Sequence, residues 1–185
     1  PGLYTQSALF PLYYLLIFLI LIIIILYLTI TRRIKYLSIK PDEKISIREV
    51  FNDKSRNILF VLTAVMLFIY CISETVVATW APTFFRTERY FNIGETALAI
   101  SLFWGGFLIG RLITGMISGK IKTSYLILIL ASIAFISAIS IYFFNSRNIS
   151  LIIMFIIGLG YSSIFPLLVY TGSTIYKLGR GLLLT

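Results

Sequence analysis

LYYLLIFLILIIIILYLTI, running from Leu12 to Ile30, holds no charged side chain and is Leu- and Ile-rich on every face. A helix of about 20 apolar residues crosses about 30 Å of hydrocarbon at 1.5 Å per residue. The stretch therefore predicts a transmembrane helix facing lipid on most sides, a scaffold and not a site. Four further apolar runs of spanning length follow, near 57–82, 95–118, 124–144 and 149–172, with the first span near 10–31. Uninterrupted runs this long exceed barrel strands, and backbone groups in lipid must be satisfied within the segment. The expected architecture is an all-α polytopic membrane protein with five transmembrane helices.

Composition agrees. The chain is 59% hydrophobic and 12% charged, with a mean hydropathy of +0.98, where a soluble domain has about 25% charged residues. The net charge of +9 raises the question of nucleic acid, and the placement of the cations answers it. Arg32, Arg33, Lys35, Lys40, Lys44, Arg48, Lys54 and Arg56 crowd the first polar connection, and Lys120, Lys122, Lys177 and Arg180 fall on the same side by alternation. Arg86, Arg89 and Arg147 fall on the other side, and Arg111 lies inside a span. An excess of Lys and Arg marks the cytoplasmic side, so loop 32–56 is expected in the cytoplasm and no nucleic-acid partner is expected. A multi-pass protein of the plasma or inner membrane follows, with the lipid bilayer as partner. Tyr13, Tyr14, Tyr27 and Tyr36 suit the two aromatic belts.

Within that loop, Ser46-Ile47-Arg48-Glu49 reads as a capping box followed by Ile47, Val50 and Phe51 at helical spacing, predicting a short amphipathic helix on the inner surface. The chain has no histidine and one cysteine, Cys71, inside an apolar run. Histidine-dependent nucleophilic catalysis, histidine-ligated metals and disulfide frameworks lose their basis. The reading is therefore not an enzyme, with no cofactor and no metal. Gly105-Gly106 and Gly158-x-Gly160 lie inside spans and follow no strand, so they are not phosphate-cradling turns.

The second span carries Thr63, Tyr70 and Glu74 on one face, with Trp80 and Pro82 expected to end the run. Glu74 is the one acidic residue inside any span, and such a charge at a helix centre costs about 2.5–3.5 kcal/mol. It reads as a proton-coupling carboxylate or an acceptor for substrate hydroxyls. Equally, it lies about 25 Å along a helix beginning near Asn57, where water at the outer surface could hydrate it. The third span pairs small residues at Gly106/Gly110 and Gly115/Gly119, which permits close helix packing. Arg111 either snorkels to the headgroups or pairs across a helix interface. Gly158, Gly160, Ser162, Ser163 and Pro166 weaken the fifth span and predict a kink.

Glu74-x5-Trp80-x-Pro82-Thr83, then Ser101-Leu102-Phe103-Trp104-Gly105-Gly106, then Gly110-Arg111-x3-Gly115-x3-Gly119-Lys120, following a long basic loop, resemble the second half of a major facilitator superfamily transporter. Within it the pattern is similar to the fucose permease-like sugar transporters, and Gly158-x-Gly160-x-Ser162 with Pro166 resembles the tenth helix. The acidic residue common at the end of the family's cytoplasmic loop motif is replaced by Gly119-Lys120-Ile121-Lys122, which weakens the case for a charge-relay latch. The resemblance implies helices six to ten of a twelve-helix fold. Residues 1–31 would be an outer loop and helix six, 32–56 the cytoplasmic inter-bundle loop, and 57–185 a truncated C-terminal bundle of helices seven to ten. The missing N-terminal bundle of the same protein would be its partner. It further implies alternating access by a secondary transporter of a small solute, such as a sugar with a proton. Glu74, Tyr70, Thr63, Trp80 and Ser162 would then be substrate or coupling candidates, and Gly106, Gly110, Arg111, Gly115, Gly119 and Pro166 gating or packing positions. A drug or metabolite exporter of the same fold, and a non-transporting membrane scaffold or sensor, are the alternatives.

Overall fold

The computed structural model describes the backbone of residues 9–34 and 54–176, and side chains at 17–29 and 57–174. Among the described residues there are six helices and no strand: α1 (Leu9–Ile34), α2 (Lys54–Thr87), α3 (Ile93–Ile117), α4 (Thr123–Phe143), α5 (Arg147–Tyr161) and α6 (Ile164–Tyr176). Four stretches, Asn57–Thr87, Ile93–Ile117, Thr123–Phe143 and Arg147–Thr174, are long and apolar enough to cross a membrane, and the 26-residue α1 adds the apolar run of the first span. The amphipathic helix expected at 46–51, and the tyrosines at 13, 14 and 36, lie outside the described side chains.

Two boundaries differ from the sequence expectation. Trp80 and Pro82 do not end the second span. Pro82 lies inside α2, which continues to Thr87. Proline removes one N–H and so leaves the Ala78 carbonyl without its helical donor, yet the helix closes around this gap and resumes. Glu74 consequently has about 20 Å of helix beyond it and sits near the middle of α2 rather than at its outer end. The fifth span, in turn, is two helices: α5 stops at Tyr161 and α6 starts at Ile164, with Ser162 and Ser163 in a turn midway along the combined 28-residue apolar stretch.

Helix α5 packs between α3 and α4. It crosses α3 so closely that a Cβ on Gly106 would lie 2.1 Å from the Phe155 carbonyl oxygen, and one on Gly158 would lie 2.0 Å from the Phe103 carbonyl oxygen. Its other side meets α4, where a Cβ on Gly160 would come within 2.6 Å of the Ala134 nitrogen. The small stripe Ala131, Ala134, Ala138 is accordingly buried inside the bundle. With lipid as apolar as any side chain, such backbone-to-backbone approach is what holds membrane helices together. Helix α1 buries Ile20, Ile23 and Tyr27 as it packs against α2 and α4, while Phe18, Leu21, Ile25 and Leu28 stay exposed.

The α2–α3 connection is shaped by its own side chains. Asn92 caps α3 by accepting from the Glu95 amide at 2.8 Å, and Glu95 Oε2 accepts from the Asn92 amide at 2.8 Å, a reciprocal capping box. Glu95 Oε1 also meets Arg147 at 2.8 Å, joining the starts of α3 and α5. Arg89 donates to the Ile141 carbonyl near the end of α4 and stacks over Phe84.

Candidate functional site

Helix α2 turns a buried stripe of Leu59, Thr63, Met66, Tyr70, Ser73 and Val77 towards the bundle, the three- and four-residue spacing of one helix face. Tyr70 is fully buried and reaches across to the broken span, where its hydroxyl donates to the Tyr161 carbonyl oxygen at 2.9 Å. Its ring contacts residues on both sides of the break, with centroids 5.8 Å from Tyr161 and 6.1 Å from Phe165. Glu74, one turn further along α2 and half-buried, stands close enough to act electrostatically on the Tyr70 and Tyr161 hydroxyls.

The break is completed from the opposite side by α3. Arg111 Nε donates to the Ser162 carbonyl oxygen at 2.9 Å, and its guanidinium lies 4.7 Å from the Phe107 ring centroid, so Arg111 is held across a helix interface. Gly110 permits this approach, because a Cβ there would lie 2.4 Å from Ser162 Oγ. Ser162 Oγ itself donates back to the Leu159 carbonyl at 2.7 Å. Ser73 likewise donates to the Tyr70 carbonyl at 2.8 Å, and the Tyr161 hydroxyl beside it is buried without a hydrogen-bond partner among the described residues.

Irregular backbone at membrane depth is tolerated where protein covers it or where it lines a water-filled cavity. Here two carbonyls of the break, those of Tyr161 and Ser162, receive side-chain donors from two different helices. A carboxylate, two tyrosine hydroxyls and a guanidinium thus converge on the middle of a span. Such a set can accept from and donate to a polyhydroxylated solute, or exchange a proton at Glu74. No group of three or more potential metal ligands occurs among the described residues.

Of the residues singled out from sequence, Tyr70, Glu74, Ser162 and Arg111 are brought together, with Gly106 and Gly110 in the α3–α5 contact that supports them and Pro166 in the first turn of α6. Thr63 is not in this group. Its hydroxyl donates to the Leu59 carbonyl at 2.8 Å, and its methyl faces Gly172 of α6. Trp80 lies further along α2, 43% exposed. Nothing among the described residues stands within 4 Å of a Cβ on Gly115 or Gly119, and Gly119 takes φ +93° in the turn after α3. Tyr161 and Ser73 were missed, since one acts through its carbonyl and the other is an ordinary span serine. The spacing of Ser162 and Pro166 carried the usable signal, because a proline four residues on denies a carbonyl its helical donor.

A bundle of apolar helices with one span broken at its middle and polar groups gathered on the break defines a polytopic membrane protein of the kind that handles solutes. The chain belongs to the Major Facilitator Superfamily, whose family model matches residues 2–182. It is also 27% identical over 110 residues to the glucose/mannose transporter GlcP of Bacillus subtilis (strain 168), a match covering 60% of this chain and 27% of that relative. The chain therefore matches little more than a quarter of that relative's length. No solved structure matches.

Proposed function

We propose that the complete protein is a secondary active transporter of a small solute that works by alternating access, with α2 and the α5–α6 break lining the path. The observation that carries this is the convergence of Tyr70, Glu74 and Arg111 on a span broken at its midpoint. Mid-span ionisable groups are costly and persist where they meet water, a proton or a substrate. Residues 1–31 and 57–185 correspond in this reading to helix six and part of the C-terminal bundle, 32–56 to the cytoplasmic loop between bundles, and the membrane is the cell membrane. A sugar is the favoured solute, supported by the similarity to a Bacillus glucose/mannose transporter and by a site that offers both donors and acceptors. Proton coupling is assigned to Glu74, whose carboxylate a symported proton could neutralise.

The test is uptake of labelled glucose and mannose into vesicles carrying the complete protein, with and without an inward proton gradient. Gradient-stimulated uptake that loses its stimulation in Glu74→Gln supports the reading. Stimulation unchanged in Glu74→Gln removes Glu74 from coupling. Absence of uptake of either sugar removes the sugar assignment and strengthens a scaffold or sensor role.

A further inference from the structure

Position 166 is proline, so the backbone of α6 offers no N–H to the Ser162 carbonyl, its partner one helical turn back. We propose that Arg111 is a positioning residue for the broken span, supplying from α3 the donor that Pro166 withholds and so setting the joint between α5 and α6. This rests on the reading that the break lines the transport path.

Three observations support the assignment independently of that reading. Arg111 Nε meets the Ser162 carbonyl oxygen at 2.9 Å, so one guanidinium N–H is aimed across the helix interface at this carbonyl while the rest of the side chain stays exposed. The approach is built into the neighbouring sequence: Gly110 leaves no Cβ where Ser162 Oγ stands, and Phe107, one turn earlier on α3, supports the guanidinium face at 4.7 Å. Ser162 Oγ is engaged with the Leu159 carbonyl, so the serine side chain does not occupy the arginine. The geometry also agrees with the helix dipole, since the carbonyl-rich end of α5 carries partial negative charge and favours a cation. Ser162 keeps a helical backbone, φ −49° and ψ −47°, so an N–H at residue 166 would be aimed near the same oxygen. Arg111 and a residue-166 amide are thus alternative donors for one acceptor.

A double-mutant cycle tests this. Arg111→Met removes the donor, and Pro166→Ala returns the backbone N–H. In the complete protein, Arg111→Met is expected to lower the thermal midpoint in detergent by several degrees, the scale of one charge-assisted hydrogen bond in a protein of this size class. It is expected to lower glucose or mannose uptake about tenfold. In the Pro166→Ala background the same substitution should cost less than half as much by both measures. Equal cost in both backgrounds, or no cost in either, overturns the inference. If Arg111→Met alone does not fold, Arg111→Lys provides the graded variant, and folding of Arg111→Met only with Pro166→Ala supports the inference. If the wild-type protein takes up neither sugar, the transport reading fails, while the melting cycle decides the role of Arg111 unaided.

Discussion

The Tyr70 hydroxyl donates to the Tyr161 main-chain oxygen across 2.9 Å, linking α2 to the last residue of α5. Both partners are buried, so removing the donor leaves a carbonyl that loses one partner in a dry setting. Tyr70→Phe should destabilise by about 1 kcal/mol, seen as a midpoint lowered by about 2–4 °C in thermal unfolding. An unchanged midpoint would show that the bond contributes nothing to the bundle.

The α3–α5 crossing should be the least tolerant contact in the chain. Gly106→Ala and Gly158→Ala each place a methyl about 2 Å from a carbonyl oxygen of the facing backbone, and overpacking costs about 1–3 kcal/mol. Gly105→Ala, with nothing within 4 Å, should be neutral or gain up to about 1 kcal/mol from helix propensity. Thermal unfolding of the three variants checks the contrast, which depends on position alone because the substitution is the same.

Glu95 serves two partners whose contributions can be separated. Its bond to Arg147 is solvent-exposed, with the arginine side chain 60% accessible, and such pairs contribute about 0–1 kcal/mol and fade with salt. Its capping bond to the Asn92 amide contributes about 1 kcal/mol. Glu95→Gln keeps the cap and should be nearly silent at high salt, whereas Glu95→Ala should destabilise at any salt. Melting at two ionic strengths distinguishes them, and equal behaviour of the two variants would exclude the capping contribution.

Thr63 should prove dispensable as a polar group. Its hydroxyl is buried and bonded to its own helix, so Thr63→Val keeps the shape and removes a bond that adds little to a helix. Uptake should stay within about twofold of wild type. A larger loss would return Thr63 to the solute path.

Much of this was legible beforehand for identifiable reasons. Span length and hydropathy are one-dimensional properties, so the helical runs could be read directly from the apolar stretches. The end of α2 could not, because Pro82 costs one backbone bond wherever it falls and only the surrounding helix decides whether the chain continues. Gly106 and Gly110 could be read as close-packing positions, while Gly115 and Gly119 carry the same spacing without a neighbour among the described residues. A small-residue pattern states what could approach, not what does.

The sequence by itself determined an all-helical membrane chain, placed an acidic residue, Glu74, in the interior of a span, and made Pro166 a weak point, since charge, apolar length and a missing N–H are local facts. Only the tertiary structure decided that the weak point is a break at Ser162 and Ser163, that Tyr70 and Arg111 close it from two other helices, and that Glu74 stands beside it. Those partners lie 91 and 51 residues away along the chain, and hydrogen bonds over such separations are set by which helices pack together, through glycine contacts that no local pattern assigns.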